Sequence, residues 1–439
     1  MDPMCGTGVM LWAAGDRLSY LNQTEGASIT GIEVDPLVAR LAALPPDETY
    51  AQMARGPRVI CGDAFAETSG IWGRHMSIDH RANYDAIVGN PPYIRYQSLA
   101  PMLQESSPEV VRAFRKQLPN APESVLATTI IRASLIAHLT PDGIHDFGKV
   151  AKEAVSLLRS RGLPDNLDPV DACWLRMVAG YSGLADLSLP AWLLTWKLAR
   201  PGGIIAYVTT ASWRNRQYAR FLRYFMLRML QPLFVLEQEG NTWFGEAQVP
   251  TSLMVFRARP PEEAVVPLLE RKESDHVVRM VRVQREQNLA DPNVFQKAAH
   301  DLDPALPSDD HPGLMASADA MVRAIQDQEQ GFENSLWTID VVPERSLVDA
   351  LMREDSSVQR SRATGVSLHS LERDGYAGSS KSTAIDKTSS HVARLPHALE
   401  QALGVNRVPA GAFQLLADYS IETNQGLRTG AIHSSTYVR

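Results

Sequence analysis

The first quarter of the chain alternates short runs of β-branched and apolar residues with longer stretches at helical spacing, the pattern of a parallel sheet covered by helices. A glycine turn after Asp2 leads into a predicted helix over 9–21. A strand is predicted over 28–34, and the helix after it opens with Asp35 as cap and Pro36 in its first turn. Further strands are predicted over 58–61 and 84–88, the second running into Asn90. Asp2, Glu33, Asp63 and Asn90 therefore end successive strands, spaced 31, 30 and 27 residues apart, close to the ~30 residues of one strand–helix–strand unit. All four are expected at one edge of the sheet, beyond the carboxyl ends of its strands, where open α/β sheets bind ligands.

From about 99 to 187 this rhythm stops. Helical stretches over 124–138 and 147–160, split by Pro141-Asp142-Gly143 and Pro164-Asp165, predict a helical insertion. The rhythm resumes with a helix over 191–199, a turn at Pro201-Gly202-Gly203, a strand over 204–209 and a helix over 218–230. Strands over 233–237 and 252–257 lie close enough in sequence to be antiparallel neighbours. Past Arg259 the chain is rich in proline and charge, and serine, glycine and short charged groups dominate 356–390. The expected organisation is an α/β domain over 1–260, a mixed extension over 261–355, a flexible linker over 356–390 and a further region over 391–439.

Composition narrows the class. A hydrophobic share of 44% and a charged share of 21% are those of an ordinary folded chain. The formal net charge of −7 excludes a surface that is basic throughout, while leaving room for a local cleft that tracks phosphates. Cys5, Cys61 and Cys173 are far apart, which gives neither a disulfide framework nor a zinc pattern and points to a reducing, cytoplasmic setting without a metal site. No apolar run reaches the ~20 residues of a membrane span, so no membrane partner is expected.

The strand ends carry the candidate chemistry. In Asp2-Pro3-Met4-Cys5-Gly6-Thr7-Gly8 two glycines stand where a strand turns into a helix, letting backbone approach a ligand. Glu33 is placed to accept both hydroxyl hydrogens of a ribose, and Asp63, one strand further out, to meet an adenine amino group. No Gly-Lys-Ser/Thr phosphate cradle is present, which favours a nucleoside-type cofactor. Asn90-Pro91-Pro92-Tyr93 directly follows an apolar strand. Its prolines cannot donate to a sheet and leave the Pro91 carbonyl free. The Asn90 side-chain oxygen and that carbonyl offer two acceptors to one amino group, and Tyr93 an aromatic face to a base rotated out of a duplex. Plainer roles stay open: turn punctuation for the glycines, loop-edge acids or caps for Glu33 and Asp63.

Asp2 to Gly8, Gly31-Ile32-Glu33-Val34-Asp35-Pro36, Gly62-Asp63-Ala64-Phe65 and Val88-Gly89-Asn90-Pro91-Pro92-Tyr93-Ile94-Arg95-Tyr96-Gln97 resemble the successive signatures of adenine-N6 DNA methyltransferases of the restriction-modification type. The likeness continues in the stretches 198–209 and 243–251 and covers about the first 260 residues. It implies a Rossmann-like methyltransferase sheet, S-adenosyl-L-methionine as cofactor and double-stranded DNA as partner, in a restriction-modification or phage-defence system. By resemblance Asp2, Gly6 and Gly8 line the methionine part of the cofactor, with Pro3 and Cys5 in the same loop, Glu33 the ribose and Asp63 the adenine. Asn90 and Pro91 hold the target amine, Pro92 completes the motif, and Tyr93 and Phe244 stack on the base. Five arginines without an acidic residue lie between Trp213 and Arg228, and Arg214, Arg216 and Arg220 are the expected phosphate contacts.

The same residues admit other readings. Guanine-N2 methyltransferases of ribosomal RNA carry a similar Asp-Pro-Met-Cys-Gly start, and release-factor glutamine methyltransferases share Asn-Pro-Pro-Tyr. The helical insertion and the long C-terminal region favour DNA. The family has an apolar central strand before the position of Asp2, where this sequence has Met1 alone. A central strand missing or incomplete is therefore expected, with the chain a fragment, a wrongly assigned start, a non-catalytic relic, or a protein completed by missing segments or by a specificity or restriction subunit. Asn424-Gln425-Gly426-Leu427-Arg428-Thr429-Gly430-Ala431 resembles the junction leading into a target-recognition domain.

Overall fold

The structure, a computed structural model, describes residues 1–46, 56–69, 84–94, 103–104, 108–138, 151–152, 154–156, 168–181, 186–214, 219–238, 251–271, 275–284, 289, 291–303, 314–360, 368 and 371–372. The first quarter runs α1 (Val9–Tyr20), β1 (Thr30–Glu33), α2 (Pro36–Ala42), β2 (Arg58–Cys61), α3 (Ala64–Ser69) and β3 (Tyr84–Gly89). The expected helical insertion contains α4 (Pro108–Gln117), α5 (Glu123–Ala137) and α6 (Pro169–Gly180). Of its predicted helix over 147–160, residues 151–152 and 154–156 are described and are helical. Then come α7 (Ser188–Leu198), β4 (Ala199–Thr210), α8 (Ala219–Met229), β5 (Leu230–Gln238), β6 (Thr251–Ala258) and the single turn α9 (Pro261–Ala264). The C-terminal part adds β7 (Val277–Val283), α10 (Pro292–Leu302), α11 (Leu314–Gln326), β8 (Phe332–Glu333), β9 (Trp337–Pro343) and α12 (Glu344–Arg360).

The result is a mixed α/β fold. Seven strands form one sheet in the order β3-β4-β6-β5-β7-β9-β8, and β1 and β2 form a separate parallel pair. β3–β4 and β5–β7 are parallel, whereas β6 runs antiparallel between β4 and β5. The carboxyl ends of β3, β4, β5 and β7 consequently share one edge. Met1 and Asp2 stand between the two groups of strands: Val88 N–H donates to Met1 O at 2.9 Å and Ile32 N–H to Asp2 O at 3.1 Å. Met1 and Asp2 stand at the position of the expected central strand, where Asp2 makes an isolated parallel bridge to Gly31.

Two expectations are corrected, and the mixed extension gains a definite place in the sheet. Pro201-Gly202-Gly203 is no turn before a strand, because β4 begins at Ala199 and absorbs these residues as a bulge: Tyr84 pairs with Ala199, yet Ala86 pairs with Ile204. Gly202 takes the left-handed φ of 78° that such a bulge favours in glycine. The 261–355 stretch adds β7, β9 and β8 to the same sheet, where Trp337, Ile339 and Val281 pack with α10 and α11 residues in a second apolar cluster. The expected linker opens inside α12, and Leu368, Leu371 and Glu372 are buried against the main core. The remainder of 356–390 after Glu372, and 391–439 with the 424–431 motif, lie outside the described residues.

The arginines of α8 are a further correction. In place of the expected phosphate contact, Arg220 is 5% exposed and pairs with Asp355 at 3.0 Å, and Arg223 pairs with Glu354 at 2.7 Å. Arg228, fully buried, donates to Glu372 at 2.5 Å, and Tyr224 O–H donates to the same carboxylate at 2.8 Å. These acids lie more than 130 residues along the chain, so a local reading sees the cations without their partners. A buried charge stripped of its partner costs about 3–5 kcal/mol, whereas an apolar pair of similar volume is near neutral. Asp355→Ala is therefore expected to destabilise the protein by about 3–5 kcal/mol in denaturant unfolding, and the double variant Asp355→Leu/Arg220→Met to recover most of that loss.

Candidate functional site

Asp2 is buried, with 2% of its surface exposed. Its Oδ1 accepts the Met4 N–H at 3.1 Å and lies against Gly89, where a Cβ would come within 2.9 Å of that oxygen and 3.0 Å of the Tyr207 ring. Glycine at 89 is what lets the carboxylate reach the end of β3. Burial pushes the Asp2 carboxyl up to about 7, and the neighbouring Glu33 charge acts in the same direction. Pro3 and Cys5 are buried in the same loop, and burial pushes the Cys5 thiol up to about 12.

Gly6 and Gly8 both adopt positive φ, 52° and 82°, for different reasons. At Gly6 a side chain would meet nothing within 4 Å, while its N–H donates to Glu33 Oε2 at 3.0 Å. At Gly8 a Cβ would stand 2.8 Å from Ala42 O, so this glycine lets α1 approach α2. Glu33 also accepts the Asp35 N–H at 2.9 Å through Oε1. Two loops thereby fix its half-buried carboxylate, and each oxygen retains a lone pair for a ligand hydroxyl. Asp35 is the expected cap of α2, accepting Leu37 N–H at 2.8 Å and Val38 N–H at 3.0 Å. Asp63 caps α3 through the Phe65 N–H at 2.9 Å, and burial pushes its carboxyl up.

Asn90 is exposed at the carboxyl end of β3, Pro91 is buried, and Pro92 and Tyr93 are half-buried. The Tyr93 hydroxyl stands 2.5 Å from Asn90 Oδ1 and 2.9 Å from the Val208 carbonyl. Burial pushes the Tyr93 phenol up, and Asp186 adds to the shift. The loop is anchored at its far end, where Ile94 O accepts the Leu187 N–H at 2.9 Å.

The structure thus gathers Asp2, Gly6, Glu33, Gly89 and Asn90 at one edge, with Asp63 one strand beyond on β2. Arg214 is half-exposed at that edge after β4 and pairs with the buried Glu237 of β5, which also accepts the Ser252 O–H at 2.6 Å. Arg220 does not reach the edge, held instead by Asp355. Arg216 and Phe244 lie outside the described residues. Sequence reasoning missed Tyr207 and Val208 on β4 and Glu237 on β5. The signal for the first two was the parallel placement of β4 beside β3.

The residues present fit a cationic, hydroxyl-bearing nucleoside. A glycine turn open above Gly6 adjoins one buried and one half-buried carboxylate. Among the described residues no group of three or more His, Cys, Asp and Glu could hold a metal ion, and no helix is long and apolar enough to cross a membrane.

No protein-family model and no curated protein matches the sequence. Among solved structures the chain is similar to the type IIG restriction endonuclease BpuSI, with 11% identity and a TM-score of 0.40 over 82% of this chain and 31% of that one. It is similar to the M protein of the type I restriction enzyme EcoKI, with 10% identity and a TM-score of 0.37 over 92% and 66%. It is also similar to the type I restriction-modification methyltransferase subunit from Streptococcus thermophilus, with 12% identity and a TM-score of 0.35 over 80% and 51%. The chain spans less than two thirds of the length of each.

Asp2 supplies a pH test of the site. Its folded value, about 7, lies above the ordinary 3.8, so the folded state holds the proton longer than the unfolded chain. The stability it contributes is full below about 3.8 and is lost as pH rises through about 7. Asp2→Asn, which stays neutral, is expected to gain thermal stability relative to the unsubstituted protein between pH 5 and pH 8, on the order of a few kcal/mol. Melting curves of both proteins across that range check it.

Proposed function

We propose that this chain carries the catalytic core of an S-adenosyl-L-methionine-dependent methyltransferase that acts on the N6 amino group of adenine in double-stranded DNA. The observation that supports it most is the meeting, at one sheet edge, of the exposed Asn90 carboxamide with the Asp2–Gly6–Glu33 loop cluster. S-adenosyl-L-methionine, when bound, supplies an electrophilic methyl group. Glu33 would take its ribose hydroxyls, Asp2 and the loop Pro3, Cys5, Gly6 and Gly8 its methionine part, and Asp63 its adenine, through the oxygen capacity left beyond the cap.

The substrate side follows from the chemistry of an aromatic amine. The N6 lone pair is delocalised into the purine ring and is a poor nucleophile. Asn90 Oδ1 and the Pro91 carbonyl, accepting its two hydrogens, favour a pyramidal nitrogen and stabilise the positive charge that grows on it. Pro91 and Pro92 hold that acceptor pair in an extended course. Tyr93 and Phe244 would stack on the flipped base, and Arg214 and Arg216 would contact phosphate. A specificity or restriction subunit, or a target-recognition region within 391–439, would read the sequence.

Two titrations test the halves separately. Glu33→Ala is expected to weaken S-adenosyl-L-methionine binding by about tenfold to a hundredfold in calorimetry, the worth of hydrogen bonds to a charged group. Asn90→Ala is expected to keep that affinity while transfer of labelled methyl to duplex DNA falls by about 10²–10³. Absence of cofactor binding by the unsubstituted chain at millimolar concentration favours a non-catalytic relic, and label transferred to RNA or protein favours those substrates.

A further inference from the structure

The hydroxyl of Tyr93 has a role that ring stacking leaves unused. The ladder between β3 and β4 ends at Gly89 and Tyr207. Pro91 and Pro92, which follow, have no N–H with which to extend it. The next carbonyl along β4, that of Val208, takes its hydrogen from the Tyr93 hydroxyl at 2.9 Å. The same hydroxyl also lies 2.5 Å from Asn90 Oδ1. A phenol carries one hydrogen, so at any moment it serves only one of these two acceptors.

We infer that Tyr93 is a positioning residue for Asn90, its hydroxyl moving one hydrogen between Asn90 Oδ1 and the Val208 carbonyl. This rests on the function proposed above. With the hydrogen on Asn90, the carboxamide is held with its oxygen, and not its NH2, at the Tyr93 side of the site. The two ends of a carboxamide are nearly alike in shape, so an unheld Asn90 presents donor and acceptor ends in turn. When an amino group arrives, the hydroxyl turns to Val208 and releases Asn90 Oδ1 to the incoming hydrogen. No buried polar group loses its partner in the exchange, which removes the desolvation cost that breaking such a bond otherwise carries. The double proline acquires a second purpose: by lacking N–H groups it leaves Val208 free to serve as the alternative acceptor.

Tyr93→Phe keeps the ring and removes the hydroxyl. In asparagine-15N-labelled full-length protein, the Asn90 side-chain amide is assigned by its loss in Asn90→Ala. Tyr93→Phe is expected to shift or broaden that resonance, with an unchanged melting temperature. On adenine-containing duplex the same variant is expected to lower kcat by about tenfold, with KM for DNA and the Kd for S-adenosyl-L-methionine within about twofold. Tyr93→Trp, which keeps an aromatic face, is expected to match Tyr93→Phe in the amide spectrum. An Asn90 amide that ignores Tyr93→Phe overturns the clamp whatever the activity. A shifted amide with full kcat overturns its part in catalysis. A shifted amide in a protein whose unsubstituted form methylates no substrate overturns the proposed function and leaves the clamp standing.

Discussion

The site depends on the backbone of Met1 and Asp2. These residues join the β1–β2 pair to the seven-stranded sheet, through Ile32 N–H to Asp2 O on one side and Val88 N–H to Met1 O on the other. The proposed cofactor groups, Glu33 and the Gly6 loop, belong to the first side, and Asn90 belongs to the second. Any slip along these bonds would move Glu33 relative to Asn90. Gly89 tightens the constraint, since a side chain there would collide with the Asp2 carboxylate. Holding that carboxylate buried costs stability near neutral pH, and its raised proton affinity expresses this.

On the substrate side, the same strand end combines rigidity with one adjustable bond. Prolines stop the ladder and fix the backbone, while the Tyr93 hydroxyl keeps a choice of two acceptors. Behind this edge lies an extensive apolar core in which Trp192 packs at a tilt against Tyr207 and edge-on against Phe256, ring centroids 4.9 and 5.3 Å away. β4, which carries Val208, is therefore a firm support. Farther off, the buried pairs of Arg220 with Asp355 and Arg228 with Glu372 tie α8 to the chain beyond 344.

Local patterns made much of this legible. The spacing of Asp2, Glu33, Asp63 and Asn90 placed four strand ends on one edge, and β1, β2 and β3 begin and end within two residues of their predicted positions. Asp35 reads as a cap because capping is a relation between residues two and three apart. What was hidden was nonlocal. The partners of Arg220, Arg223 and Arg228 lie more than 130 residues away, and the strands after 276 reveal themselves only by β7 pairing with β5 and by β9 and β8 adding beyond it. Pro201-Gly202-Gly203 has turn composition, yet the pairing of β3 with β4 on either side draws it into the strand as a bulge. The two glycines of the first loop look alike in sequence. Only packing shows that Gly6 opens onto space while Gly8 accommodates Ala42.

The central claim concerns one nitrogen atom, and mass spectrometry of nucleosides tests it most directly. Duplex DNA incubated with the protein and S-adenosyl-L-methionine, then digested completely, should yield N6-methyladenine, formed about 10²–10³ more slowly when Asn90 is alanine. Methyl groups found on cytosine or guanine in place of adenine, or equal N6-methyladenine from the Asn90 variant, would contradict the account.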